Sequence, residues 1–184
     1  VIVPWPYWVT YPELPKFCGA KNVFAETKPE YGYKMTAEEL EKAITPKTKL
    51  LILNSPNNPT GAVYSREELS AIADVVLGRD GIFVVSDEIY RDLVYDGEKH
   101  VSISSLGEEI KSRTIIIDGM SKSYAMTGWR TGWAIAPEKI ANAMARAQSH
   151  MTSNVNSIAQ YASLEGLTNT EKSDEFIAEM RKTF

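Results

Sequence analysis

Cysteine is nearly missing from this chain. Cys18 stands alone among 184 residues, so no intrachain disulfide can form, and a reducing, cytoplasmic setting is expected. Histidine is as scarce: His100 and His150 lie far apart with no cysteine cluster beside either, which leaves no metal site of the histidine–cysteine kind. Basic excess is lacking too. The formal net charge is −4, whereas a nucleic-acid surface needs clustered positive charge, so nucleic acid is excluded as a partner. Long apolar runs do not occur; residues 50–53 and 115–117 are far too short to span a bilayer, so no membrane role is expected. No basic segment followed by an apolar one opens the chain, so no signal peptide is expected. Gly-x-Gly-x-x-Gly and the phosphate loop ending Gly-Lys-Ser/Thr are absent, which removes the fingerprints of nicotinamide and nucleoside-triphosphate sites. Gly-x-Ser-x-Gly is absent as well, against an α/β hydrolase. The chain begins at Val1 inside an apolar run, and residues 171–184 read as a helix cut in mid-pattern; an incomplete chain is the expectation.

What is present suits a globular protein. Hydrophobic residues make up 43% and charged residues 24%, and the length suits one buried core with room for the start of a second domain. Short β-branched runs alternate with amphipathic helices, the pattern of an α/β layered sheet. Strands are predicted over residues 1–3, 49–53, 82–85 and 114–117, with one more over 132–136. Thr36 with Glu39, and Ser65 with Glu68, are capping-box pairs. Leu40, Ala43 and Ile44 supply the apolar face of the first helix; Leu69, Ile72, Ala73 and Val76 supply that of the second. Pro137 opens a helix into the alanine-rich residues 140–147, and residues 157–167 and 172–181 are also predicted helical.

In an open parallel sheet, ligands bind beyond the carboxyl ends of the strands. Trp8 follows the first predicted strand, Asn58 follows the second, Asp87 ends the third and Lys122 follows the fourth. Taken singly, each is ordinary: a lysine is usually solvated, an aspartate after a strand is usually a turn residue, a tryptophan is usually core. Their joint placement carries the argument. A lysine amine can form a Schiff base with an aldehyde cofactor, and a carboxylate can pair with a protonated ring nitrogen. Asp87 would then keep the ring cationic and electron-withdrawing. Tyr90 can donate to a phenolate oxygen on the same ring. Arg130, eight positions beyond Lys122, can grip a phosphate with its planar fork, and the small residues of Gly119-Met120-Ser121-Lys122-Ser123 let an anion approach. Asp87 and Glu88, as strand neighbours, point to opposite faces, so shared acid–base work by that pair is improbable.

Four segments carry a resemblance. These are Pro6-Tyr7-Trp8, Asn57-Asn58-Pro59-Thr60-Gly61, Ser86-Asp87-Glu88-Ile89-Tyr90 and the run from Ser121-Lys122-Ser123-Tyr124 through Met126-Thr127-Gly128-Trp129-Arg130. In this order and spacing the chain resembles the class I/II aminotransferases, of the fold-type I group that uses pyridoxal 5'-phosphate (PLP) and includes aspartate aminotransferase. The resemblance runs along essentially the whole chain.

It implies a three-layer α/β/α fold with a mostly parallel sheet, here incomplete. Residues 1–168 would be the large PLP-binding domain without its N-terminal part, and residues 169–184 the start of the helix leading to a small domain. Lys122 would hold PLP as a Schiff base and later move the proton at the substrate's α-carbon. Asp87 would bind the pyridinium nitrogen, and Asn58 and Tyr90 the phenolic oxygen. Trp8 would stack on the ring, Ser121 and Arg130 would hold the phosphate, and Asn58 would also touch the substrate carboxylate. The reaction implied is ping-pong transamination between an L-amino acid such as aspartate and a 2-oxo acid such as 2-oxoglutarate. A homodimer is implied, with residues 149–157 at its contact. The Asn58-Pro59 bond is expected to be cis. Two positions depart from the usual family pattern, Thr131 after the arginine and Trp5 before the Pro-Tyr-Trp run. Family members are longer on both sides, so the arginine that grips the substrate carboxylate lies outside this chain, which alone is expected to be inactive. Another fold-type I PLP enzyme, such as a carbon–sulfur lyase or a cyclase, and a PLP-binding effector domain of a transcription regulator remain open as alternatives.

Overall fold

Runs rich in leucine, isoleucine and valine, each closed by polar or turn residues, form the strands of the sheet. The computed structural model describes residues 1–184. Six strands are present: β1 (Ile2–Trp5), β2 (Val23–Glu26), β3 (Leu50–Asn54), β4 (Phe83–Asp87), β5 (Thr114–Gly119) and β6 (Gly132–Ile135). Between and after them lie α1 (Glu13–Phe17), α2 (Ala37–Ala43), α3 (Arg66–Leu77), α4 (Glu108–Lys111), α5 (Glu138–Met151), α6 (Ser157–Thr168) and α7 (Thr170–Thr183). The strand order is β2-β1-β3-β4-β5-β6. Every neighbouring pair is parallel except β5 with β6, so the expected mostly parallel α/β sheet forms.

The main core lies on one face. Ile2, Leu51, Leu53 and Val84 meet Leu40 and Ala43 of α2 and Leu69, Ile72, Ala73 and Val76 of α3, all buried. Each such leucine or isoleucine contributes about 1.5–3 kcal/mol by leaving water. Both capping boxes form, Thr36 with Glu39 and Ser65 with Glu68, and they fix where these two helices begin. The opposite face carries a much smaller cluster of Val3, Ile52 and Tyr11. Alternation along β3 divides Ile52 from Leu51 and Leu53 in this way. α5 buries no residue at all.

Most strand limits shift by one or two residues from the sequence reading, and two strands differ from it more. β2 was not predicted, because a four-residue edge strand offers too short a pattern to read. β1 runs through Pro4 to Trp5 instead of stopping before it. The carbonyls of Val1 and Trp5 accept from Val23 and Thr27 along the β2 edge, so the odd-numbered residues bond to β2. Pro4 therefore faces β3, where pairing is confined to Ile2, and its missing N–H leaves no gap.

The β5–β6 pair closes tightly at its end. Gly119 stands opposite Gly132, and Met120 N–H donates to the Thr131 carbonyl at 3.1 Å. A Cβ added at Gly119 would lie 2.8 Å from both Gly132 Cα and the Thr131 oxygen. Since backbone cannot yield as a flexible side chain does, Gly119→Ala should force the two strands apart. The expected loss is about 1–3 kcal/mol, the range for overpacking, read as a lowered denaturation midpoint; an unchanged midpoint would refute this reading of the contact.

Candidate active site

The carboxyl end of β4 is the centre of the site. Alternation sends Asp87 to one face of the sheet and Ser86 and Glu88 to the other, where the Ser86 hydroxyl donates to Glu88 at 2.8 Å. Asp87 is fixed by several groups. Tyr11 donates its phenolic proton to Asp87 Oδ2 at 2.7 Å, and the Ile89 N–H donates to Oδ1 at 3.2 Å. The Asp87 carbonyl accepts from the Asn54 amide at 3.0 Å and from the Ser55 N–H at 3.2 Å. Burial raises the carboxyl's pKa above the usual range, although the Tyr11 and Ile89 bonds pull it down. Burial and the Asp87 charge together push the Tyr11 hydroxyl up, so it stays protonated and donating.

The neighbouring strand brings the next residues. Asn54 ends β3, and its Oδ1 accepts from the Asn58 N–H at 2.8 Å, which seats the loop after β3 against the end of β4. The Asn58-Pro59 bond is cis, as expected from the sequence. Asn58 then reaches Tyr90, its amide nitrogen 3.5 Å from the phenolic oxygen, at the outer limit of a hydrogen bond. The Lys122 ammonium sits 5.6 Å from the centre of the Tyr90 ring, within range of a cation–π contact. Trp8 meets Tyr11 edge to face at 5.4 Å and remains 42% exposed, so it offers a free aromatic surface beside Asp87.

Trp8, Asn58, Asp87, Tyr90 and Lys122 thus stand in one connected network, joined through Tyr11 and Asn54. The sequence reading missed both connectors. A polar residue closing a buried run marks Asn54; nothing in the local pattern separates Tyr11 from a core tyrosine. Ser121 and Arg130 are not part of this network. Arg130 adopts a left-handed backbone, with φ of 55°, and its guanidinium donates to the Thr127 carbonyl at 2.9 Å. With Gly128, Gln148, Thr152 and Asn156 it lines an open cavity of about 880 Å³.

The donor set fits PLP. Each Asp87 oxygen accepts one bond and keeps a further lone pair for a cationic ring N–H. Asn58 and Tyr90 could donate to a phenolic oxygen, and Lys122 could offer the amine. Next to it, Ser123 Oγ is buried with no hydrogen-bond partner, a donor left unpaired beside the lysine.

The family description "Aminotransferase class I and II" matches residues 1–184. The chain belongs to this family. It is 51% identical over its full length to an aspartate aminotransferase of Bacillus sp. (strain YM-2), of which it covers 46%. The solved Thermus thermophilus aspartate aminotransferase with maleate superposes with a TM-score of 0.93 at 46% identity, over 98% of this chain and 46% of that one. An aromatic aminotransferase from Pyrococcus horikoshii OT3 superposes with a TM-score of 0.94 at 40% identity, over 98% of this chain and 48% of that one. The chain spans about half the length of the curated relatives it matches. Its sheet is that of the family's large domain.

A buried carboxyl with a raised pKa opposes folding once it is charged. Between its unfolded and folded pKa the native state holds the extra proton, so stability falls as pH rises through that window, and above it the penalty is fully present. Asp87→Asn removes the charge and keeps an oxygen for Tyr11, but sets an amide NH2 against the Ile89 N–H, a loss that does not vary with pH. With no cofactor added, the parent's unfolding temperature relative to the variant's should fall as pH rises through the carboxyl range; a difference that does not change across that range would contradict this electrostatic account.

Proposed function

We propose that this chain is the cofactor platform of a PLP-dependent aminotransferase that acts on an L-amino acid, aspartate or one like it, and a 2-oxo acid such as 2-oxoglutarate, by a ping-pong route. The observation that carries the reading is the network in which a partly buried Asp87, fixed by Tyr11, stands with Asn58, Tyr90 and Lys122 at the carboxyl ends of adjoining strands. Bound there, PLP supplies an aldehyde carbon for a lysine amine and a ring that draws electrons from an amino acid's α-carbon.

The residues divide the remaining work. Asp87 holds a proton at the ring nitrogen by placing a negative charge against it. Asn58 and Tyr90 donate to the phenolic oxygen. The Lys122 amine, once free, removes the α-proton and returns it, as a general base and then a general acid. Trp8 covers one ring face. Arg130 and Ser121 hold the phosphate, Arg130 exchanging the Thr127 carbonyl for a charged partner that binds its fork more strongly. Asn58 also receives the substrate carboxylate.

Substrate choice rests on less. The same platform serves a protein described as an aspartate aminotransferase and one described as an aromatic aminotransferase, so the sheet does not select the side chain. The names of relatives that match along this whole chain, and the dicarboxylate bound to one of them, favour a dicarboxylic pair. Residues 1–168 form the larger part of the PLP domain. Residues 169–184, beyond the helical break at Asn169, would lead into a further domain. Residues 149–157 meet a second copy in a cytoplasmic homodimer.

Borohydride reduction of the full-length protein loaded with PLP, followed by peptide mapping, should place the adduct on Lys122. An adduct on another lysine would sink the assignment. In the same protein Lys122→Ala should lower turnover by at least about 10²–10⁴, the range for a lost general acid–base. Residues 1–184 alone, given PLP, aspartate and 2-oxoglutarate, should form no measurable oxaloacetate; turnover like that of a complete enzyme would show that the platform needs nothing more.

A further inference from the structure

Behind the site, on the other face of β4, lies a second polar cluster that the reaction does not use. Glu88 is 4% exposed. Its Oε1 accepts from the Ser86 hydroxyl at 2.8 Å and the Ser102 hydroxyl at 2.6 Å, and its Oε2 accepts from His100 Nε2 at 3.1 Å. Ser102 in turn lies 2.8 Å from the Ser104 hydroxyl. A buried carboxylate with no partner would cost several kcal/mol, so this one is strongly tied to where its donors stand. Burial alone would raise its pKa, but the bonds from His100, Ser102 and Ser86 outweigh that and hold it below the usual range. It is an anion fixed to the segment after residue 99.

Its backbone is tied as firmly. The Glu88 N–H donates to the Ile117 carbonyl of β5 at 2.9 Å, and the Glu88 carbonyl accepts from Arg91 at 2.8 Å. The Tyr90 carbonyl accepts from Leu93 at 2.8 Å, and the Arg91 side chain reaches the buried Asp118 of β5 at 3.2 Å. The turn that carries Tyr90 is therefore pinned at its start by Glu88 and at its far side by Arg91. Asp87 precedes Glu88 directly, and Tyr90 follows it by two residues.

We infer that Glu88 is a positioning residue, whose clasp by Ser86, His100 and Ser102 sets where Asp87 and Tyr90 stand. This rests on the functional reading above. A rotation of the chain at Glu88 would carry Asp87 off Tyr11 on one side and Tyr90 off Asn58 and Lys122 on the other, because a single backbone segment bears both. The Asn58 contact with Tyr90, at 3.5 Å, has no slack to absorb such a shift. Misplacement of reacting groups by about 1 Å is worth about 10²-fold in rate.

The test uses the full-length enzyme loaded with PLP. Glu88→Ala should lower kcat by about 10- to 10²-fold with KM little changed. It should also weaken cofactor binding about tenfold by equilibrium titration and speed amide exchange at residues 89–93 in the cofactor-free protein. Glu88→Gln should restore most of kcat and of exchange protection, since its oxygen can accept from both serines and its amide can donate to His100 Nε2 in the other tautomer. If Glu88→Ala lowers only the unfolding temperature, with kcat and cofactor binding intact, the residue is structural and the inference is overturned. If Glu88→Ala does not fold, Ser102→Ala, which removes one donor and keeps the charge, should show the same pattern in smaller measure; wild-type values of kcat and exchange there would equally overturn it. Wild-type enzyme that gives no borohydride adduct at Lys122 would instead overturn the cofactor reading itself.

Discussion

A carboxylate drawn out of water at the end of a strand needs donors, and Asp87 receives them on both oxygens while its backbone carbonyl is held separately. Tyr11, from the loop after β1, and the Ile89 N–H, from the turn beyond β4, donate to the carboxylate; Asn54, at the end of β3, donates to the Asp87 carbonyl. Each bond fixes a segment that would otherwise be a free loop, and those segments bear Trp8, Asn58 and Tyr90. The site is thus less a set of residues placed independently than a shell tied to the side chain and the carbonyl of one residue, Asp87. Removing water from that charge raises its proton affinity, the property that suits it to stand against a cationic ring nitrogen.

The fold delivers this through asymmetry. One face of the sheet is sealed by α2 and α3 over a core of leucine, isoleucine and valine. The other holds only a small cluster at the β1–β3 end. Polar work is distributed accordingly along β4, where alternation places Asp87 on one side and the Ser86–Glu88 pair on the other. The firm face provides the rigidity, and the thinly covered face leaves Asp87 and Tyr11 only partly screened from solvent.

Much of this was legible in the residues. Thr36 with Glu39 and Ser65 with Glu68 announced two helices, and the spacing of Leu69, Ile72, Ala73 and Val76 named the buried face of α3. Strand ends were legible where a polar residue closes an apolar run, which is how Asp87 stood out, and Lys122 stood out by following the fourth such run. β2 was illegible because four residues at a sheet edge carry almost no periodic signal. β1 was cut short because a proline looks like a stop until its pairing side is known. Tyr11 was missed for a deeper reason: its partner is 76 residues away in sequence, and no local pattern reports such a distance. The phosphate roles read for Ser121 and Arg130 find no partner in the network around Asp87, for Arg130 is bonded within its own loop.

The glycine pair that closes β5 against β6 has an effect on motion. Residues 120–131 form one loop whose neck is shut by the Met120–Thr131 bond and whose interior is drawn in by Met126 N–H on the Met120 carbonyl and Ala125 N–H on the Lys122 carbonyl. Lys122 and Arg130 both ride on it. The neck bond turns what would be an open span of chain into a closed ring, so the backbone separation of Lys122 and Arg130 is bounded by the circumference of that ring, however freely their side chains turn.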